Sequence, residues 1–162
     1  MKKLYKPFEG HPDYKCIGCS PENPIGFNLE FFEDDNYIVS EWKTLENFQG
    51  FKNILHGGIQ STLMDEIASW CVIIKTGLGG VTQELNVKYH RTVYTNGQTI
   101  KLRARLLKLE DSIAHIHAEL INEAGKLCSE GEFKFFTFPE HISKRKMDFP
   151  GKEAYYKPSK YL

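Results

Sequence analysis

The residues from 57 to 76 form one long amphipathic segment. Its apolar positions fall on one side of a helix wound at about 3.6 residues per turn. They are Ile59, Leu63, Ile67, Trp70 and Ile74. Gly77 and the glycines after it are a typical C-terminal stop. The pattern predicts a long helix that begins at Gly57 and ends near Thr76.

The second half of the chain changes to a period of two. Apolar and polar residues alternate in 81–89, 100–106 and 114–120, and a fourth run covers 127–138. In the first run Thr82 and Lys88 belong to the polar set, while Leu85 and Tyr89 belong to the apolar set. Short turns join these runs, so neighbouring strands are antiparallel.

Two earlier strands are predicted at 27–32 and 37–42, on either side of an acidic turn. Together the patterns predict an α+β fold in which five to six antiparallel strands wrap one central helix. We expect residues 1–24 to be an irregular leader, 25–138 the folded domain and 139–162 a C-terminal tail. The stretch Thr44–Leu55 lacks periodicity and reads as a loop before the helix.

Charge and composition exclude several classes of protein. The chain has 21 basic and 21 acidic residues, so nothing favours nucleic acid as a partner. Hydrophobic residues make up 41%, an ordinary value for a globular protein. No apolar run has the length of a membrane span, and the first residues do not resemble a signal peptide. We therefore expect a cytoplasmic protein.

The cysteines leave two interpretations open. Cys16 and Cys19 have zinc-knuckle spacing, and His11 could supply a third ligand, but no fourth ligand is obvious. The other interpretation, a tight turn with small packed thiols, fits the incomplete ligand set better. His115, His117 and Glu119 share one strand face, where a solvated surface explains them as well as a metal does. We expect no metal and no organic cofactor.

The start of the long helix carries candidate chemistry. His56 precedes the adjacent glycines Gly57 and Gly58, whose backbone amides can attract negative charge. About two turns later Asp65 stands on a line of small residues. An oxyanion stabiliser near a carboxylate is the minimum equipment for acyl transfer, although a core helix after a tight turn has the same pattern. Glu66 falls on the apolar side, where a structural role is favoured.

The chain has a long helix after His56-Gly57-Gly58, and four antiparallel strands follow that helix. This arrangement resembles the hotdog-fold acyl-CoA thioesterases. The branch is the one named for the phenylacetate-pathway and 4-hydroxybenzoyl-CoA thioesterases. The resemblance covers residues 16–138. Three features carry it: a carboxylate, Asp65, nine residues after the histidine, the strand motif Val81–Tyr89, and the leader segment Cys16–Gly26.

The resemblance implies an acyl-CoA thioesterase in which the Gly57 amide, with Gly58 beside it, polarises the thioester carbonyl. It makes Asp65 the nucleophile or general base and Thr82 the residue that helps to place water. It also implies a homodimer or homotetramer with sites between subunits, acting on an acyl-CoA substrate without a cofactor.

The loop before the helix departs from the family. The position that usually holds asparagine is Gly50 here, so the neighbouring Gln49 is the expected substitute, with Asn53 on the other side. His56 either acts as an acid or, more in keeping with its position, fixes the turn. Further substrate contacts are expected from charged side chains near the strand motif, Lys88 and Arg91.

Two other functions remain open. A non-catalytic acyl-CoA-binding hotdog protein would tolerate the change at Gly50. An acyl-CoA hydratase or dehydratase is less favoured, because such enzymes pair an acidic group with a histidine. No histidine occurs from Gly57 to Tyr89.

Overall fold

A computed structural model describes all residues, 1–162, as one long helix against a seven-stranded antiparallel sheet. The α+β prediction is confirmed, with seven strands rather than five to six. The strands are β1 (Lys2–Leu4), β2 (Phe31–Asp34), β3 (Tyr37–Lys43), β4 (Gly80–Tyr89), β5 (Thr99–Glu110), β6 (Ile113–Ile121) and β7 (Leu127–Thr137). The helices are α1 (Gly57–Thr76) and α2 (Glu140–Met147), with 3-10 turns at Glu46–Phe48 and Lys152–Tyr156. Neither α-helix is both long and apolar enough to cross a membrane.

Helix α1 has the limits that the sequence predicts. Gly77, which follows it, adopts a φ of 76°, and its amide donates to the Ile73 carbonyl. This left-handed conformation favours glycine and ends the helix. The sheet, in the order β1-β2-β3-β5-β6-β7-β4, curves around α1 and buries most of its circumference. The helical part of the core comprises Leu63, Met64, Ile67, Ala68, Trp70, Cys71, Val72 and Ile74.

The N-terminal leader is more ordered than expected. Residues 2–4 pair with β2 as the additional strand β1, so the leader is not irregular throughout. Strand β2 also begins at Phe31, later than the predicted 27–32. The reason is that Phe27 and Leu29 donate their amides to the carbonyls of Ile17 and Gly18 instead, at 2.7 and 2.9 Å.

The C-terminal tail packs back onto the helix. The buried Tyr155 makes an edge contact with Trp70, at a ring separation of 5.1 Å, and its carbonyl accepts from the Tyr5 amide. Tyr156 donates to Glu33, which also accepts from Lys75 of α1. The tail therefore joins β1, β2 and α1.

Strand β4 is an edge of the sheet. It pairs with β7 on one side and with no strand on the other. Its apolar side chains are unusually exposed, namely Val81, Leu85 and Tyr89 at 46%, 46% and 51%. A long edge strand with exposed apolar residues is a surface on which another strand can pair.

Candidate active site

Asp65 lies on helix α1 beside the edge strand β4. The Thr82 hydroxyl donates to its Oδ1 over 2.9 Å. On the same face of the helix, the Thr62 hydroxyl donates to the Gly58 carbonyl at 2.8 Å. It therefore makes no hydrogen bond with the Asp65 carboxylate. Asp65 is therefore a half-buried carboxylate held by a single hydroxyl.

Burial raises the pKa of Asp65, and the opposing effect of the Thr82 hydrogen bond does not cancel that rise. No lysine, arginine or histidine side chain forms a salt bridge with Asp65. A desolvated carboxylate with a raised pKa is a stronger base than one in water.

Thr82 reaches Asp65 because β4 contains a bulge. Thr82 pairs with Phe135 and Leu85 with Phe133, while the register shifts between Thr82 and Glu84. Phe133 and Phe135 are both buried against the helix, so Thr82 and Leu85 face the same way. The simple alternation in the sequence had put them on opposite faces.

The start of α1 offers free backbone donors, namely the amides of Gly57 and Ile59. His56 is the N-cap residue, and its Nδ1 accepts from the Gly58 amide at 2.9 Å. The Gly57 amide has no acceptor in the chain. Gly58 was expected to help Gly57 to polarise the substrate carbonyl, but its amide already donates to the ring of His56. The histidine thus fixes the turn and leaves the Gly57 N–H available.

Tyr89 covers this helix start from the far end of β4. Its hydroxyl donates to the Gly57 carbonyl at 2.8 Å and lies 2.7 Å from the Ser61 hydroxyl. Neither Tyr89 nor Ser61 was singled out from the sequence. The signal was weak, because only the distance in space shows that the end of β4 returns to the beginning of α1.

Gly57 and Asp65 are too far apart to act on one carbonyl within a single chain. Eight residues of α-helix at about 1.5 Å each separate them by roughly 12 Å along the axis. A donor and a base that serve the same carbonyl must both lie about 3 Å from the reacting atoms. The Gly57 amide and the Asp65 carboxylate of one chain therefore do not meet at a single carbonyl.

The loop before α1 forms a cleft at the helix start. Gln49 Oε1 accepts from the Asn53 amide at 2.9 Å, and Asn53 has a φ of 65°. The loop is closed by backbone pairing between Gln49 and Leu55. A cleft of about 430 Å³ opens here, lined by Gly50, Phe51, Ile54, Leu55, His56 and Gly57. A larger cleft, of about 750 Å³, lies between the leader and the tail, and neither Asp65 nor Gly57 lines it.

Lys88 and Arg91 are not brought to Asp65 within the chain. Lys88 lies opposite Glu130 in the register of β4 and β7. Its side chain is on the outer face of the sheet, and that of Tyr89 is on the inner face. Arg91 follows β4 and donates to the Leu127 carbonyl at 2.9 Å. Both side chains are exposed.

Glu66 points to the other side of the helix from Asp65. Trp70 Nε1 donates to it at 3.0 Å, and Cys16 of the leader lies 3.5 Å from both carboxylate oxygens. Burial raises the pKa of Glu66 to about 8. The hydrogen bond with Cys19 is the largest influence that lowers the pKa of Cys16, to about 5.

Two groups of side chains have the composition of a metal site. One consists of His117, Glu119 and Glu130, and the other of Cys16, Cys19 and Glu66. In the first group Glu130 is paired with His90 and His117 at 2.9 and 3.0 Å, and Glu119 with Arg103. These carboxylates already have partners of opposite charge or hydrogen-bond donors, so the solvated-face interpretation accounts for them.

This chain is similar in sequence and in fold to known proteins. The sequence pattern that defines the thioesterase superfamily matches residues 52–129. Human acyl-coenzyme A thioesterase 13 is 30% identical over 96 residues, which are 58% of this chain and 68% of that protein. Zebra fish thioesterase superfamily member 2 is 25% identical, with a TM-score of 0.63 over 74% of this chain and 88% of that one. A hypothetical thioesterase of Streptococcus pneumoniae, crystallised with coenzyme A, has a TM-score of 0.64 at 21% identity, covering 70% and 88%.

Proposed function

The chain belongs to the thioesterase superfamily, and from that premise we propose that it hydrolyses an acyl-CoA thioester to a carboxylic acid and free coenzyme A. The name of the human relative supports acyl-CoA as the substrate class, as does the coenzyme A in the streptococcal structure. The observation that carries the proposal is the half-buried Asp65, held by the Thr82 hydroxyl alone.

Asp65 acts as the general base in this proposal. Its carboxylate takes a proton from a water molecule while the water oxygen attacks the thioester carbon. Thr82 holds Oδ1, which leaves Oδ2 for the water. The carbonyl π electrons move to oxygen, and the tetrahedral intermediate then expels the coenzyme A thiolate, which is protonated to the free thiol. The alternative in which the Asp65 oxygen itself attacks uses the same residue as a nucleophile.

The Gly57 amide stabilises the oxyanion. It is a free donor in the first turn of the helix, and the positive end of the helix dipole adds to its effect. Gln49 is the second proposed donor, because Asn53 engages its side-chain oxygen and leaves the amide hydrogens for the carbonyl. One such donor is worth about 3–4 kcal/mol in comparable acyl-transfer sites.

A complete site requires two copies of the chain. Gly57 and Asp65 of one chain are roughly 12 Å apart. The Gly57 amide of one copy therefore acts on the same thioester as the Asp65 carboxylate of the other copy. Edge strand β4 is the proposed contact, since its exposed Leu85 and Tyr89 flank the small-residue face of α1. A two-fold axis beside β4 would then create two equal sites.

Thiol release from a panel of aromatic, short-chain and long-chain acyl-CoAs tests the proposal. Hydrolysis that disappears in Asp65→Asn supports it. Binding of acyl-CoA without any release of thiol identifies a non-catalytic acyl-CoA-binding protein. A change in enoyl-CoA absorbance without thiol release identifies a hydratase.

A further inference from the structure

We propose that Cys16, Cys19 and Glu66 form a zinc site that fastens the N-terminal leader to helix α1. Cys16 and Cys19 lie in the leader turn, whereas Glu66 lies on the helix 50 residues beyond Cys16. Their ligand atoms all lie within 4.8 Å of one another. The proposal concerns the side of α1 that faces away from Asp65 and does not depend on the proposed hydrolysis.

The separations fit a tetrahedral centre. The Cys16 sulfur lies 3.5 Å from both carboxylate oxygens of Glu66. Zinc bonds of about 2.3 Å to sulfur and about 2.1 Å to oxygen, at the tetrahedral angle, place the two ligand atoms about 3.6 Å apart. Cys16 and Glu66 are therefore already spaced as two ligands of one ion, and the Cys19 sulfur lies within 4.8 Å of their ligand atoms.

Glu66 lacks the partners that a carboxylate at such a position usually has. Its one strong donor is Trp70 Nε1, at 3.0 Å, and no lysine, arginine or histidine pairs with it. A thiol is only a weak donor. A carboxylate removed from water with so little compensation is costly, whereas a bound cation would offset that cost.

The surroundings of the three groups resemble the outer shell of a metal site. The Cys19 amide donates to the Cys16 sulfur at 3.4 Å, which stabilises a thiolate. Trp70 fixes the orientation of the Glu66 carboxylate in the same way. Such hydrogen bonds typically orient first-shell ligands.

Gly18 shows how closely the turn is fitted to the carboxylate. A Cβ at this position would lie 2.3 Å from Glu66 Cδ, so no other residue fits without movement of Glu66. The Gly18 carbonyl accepts from Leu29, which holds the turn against the strand region. The glycine between the cysteines therefore lets the turn approach the helix.

Two thiolates and one carboxylate form a donor set that suits Zn²⁺. The three side chains also line a cavity of about 170 Å³, which is large enough for a water molecule as the fourth ligand. On binding, the thiol and carboxyl protons that the three ligands still carry are released to solvent. The third ligand differs from the one considered in the sequence, because His11 Nδ1 accepts from the Asp13 amide and its ring packs against Tyr161.

Metal binding by the purified, reduced full-length chain tests the site. We expect one Zn²⁺ per chain in competition with a chromophoric chelator. Cys16→Ser and Glu66→Gln should each weaken binding at least as much as the roughly 10–100-fold typical of lost outer-shell partners. The matched control is Glu130→Gln, since Glu130 belongs to the other metal-like group and should leave the affinity unchanged.

Cobalt substitution of the wild-type chain gives a readout that needs no variant to fold. Co²⁺ bound by two thiolates in a tetrahedral site should show sulfur-to-metal charge-transfer absorption in the near ultraviolet and intense visible bands. Zn²⁺ should also raise Tm in the wild type and not in Cys16→Ser. Absence of the thiolate bands, or Zn²⁺ binding of wild-type strength in Cys16→Ser and Glu66→Gln, would overturn the proposal.

Discussion

The Thr82 hydroxyl donates to the Asp65 carboxylate across 2.9 Å, joining the third turn of helix α1 to the edge strand of the sheet. The bulge between Thr82 and Glu84 makes this contact possible, since it turns Thr82 toward the helix. Bulges often re-aim a side chain next to an active site. The pair is thus a local departure from regular β-structure that serves the proposed base.

Replacing Asp65 by asparagine should remove catalysis and leave the fold intact. The amide cannot accept the proton of the attacking water, so we expect kcat to fall by roughly 10²–10⁴-fold. Thiol release measures the rate, and Tm checks the fold. Asp34→Asn is the matched control, because Asp34 is exposed at the end of β2 and its carboxylate forms an ion pair only with the N-terminus, at 3.8 Å. Turnover at the wild-type rate in folded Asp65→Asn would contradict the assignment.

Replacing Thr82 by valine should reduce activity without abolishing it. The change keeps the shape of the side chain but removes a hydrogen bond with a net value of about 1 kcal/mol, or more because the acceptor is charged. We expect kcat to fall by about 5- to 100-fold. Thr82→Ser retains the hydroxyl and should recover most of the rate. Equal losses in the two variants would show that the methyl group matters rather than the hydroxyl.

Replacing Glu33 by glutamine should weaken the attachment of the tail at neutral pH. Burial raises the pKa of Glu33, but hydrogen bonds from Lys75 and Tyr156 outweigh it and hold the net pKa below its usual value. A lowered pKa in the folded state means that the stabilisation is present above about pH 5 and is lost as the pH falls through the folded pKa.

We therefore expect Tm of Glu33→Gln to lie about 2–4 °C below the wild type at pH 7, as for a loss of about 1 kcal/mol in a chain of this size. The gap should close on acidification. Glu30→Gln, which removes an exposed contact with Lys3, should shift Tm little. A gap that is the same at every pH would show that charge is not the cause.

The helix and the later strands could be predicted because their apolar periods are long and their ends carry turn residues. Gly57, Gly77 and the short loops between the later strands determine where those elements begin and end. Strand β1 could not be predicted, since three residues carry no period. The start of β2 was displaced because Phe27 and Leu29 pair with the leader turn, a long-range preference invisible to local pattern.

Part of the candidate site could be proposed from the sequence, but its geometry could not. Gly57 and Asp65 follow from the motif, whereas strict alternation separates Thr82 from the face on which it lies. The role of His56 as a cap for Gly58 depends on a side-chain rotamer, which sequence does not specify. The approach of Cys16 to Glu66 depends on the docking of the leader, so the sequence could show two of the three proposed zinc ligands but not the third.

Replacing Gly57 by proline should remove the proposed oxyanion donor with little disturbance of the helix. Gly57 is the first residue of α1, where proline is tolerated and its missing N–H breaks no internal bond. His56 already has φ −58° and ψ 136°, a conformation compatible with a following proline. We expect kcat to fall by about 10²–10³-fold at nearly unchanged Tm. Unchanged turnover would exclude this amide as the donor.

Mixing Gly57→Pro with Asp65→Asn should restore activity that neither variant has alone. If the amide of one copy serves the carboxylate of the other, a mixed dimer contains one intact site and one site with both defects. Random exchange in a two-fold dimer makes half of the dimers mixed, so we expect about one quarter of wild-type activity.

Subunit exchange after mild denaturation and refolding of the mixture, followed by thiol release, measures this recovery. The two variants refolded separately and then assayed together without exchange form the control, and they should stay inactive. Recovery distinguishes a shared site from a site within one chain, because each mixed dimer would otherwise combine two damaged sites. An exchanged mixture that remains inactive would show that Gly57 and Asp65 do not act together across the interface.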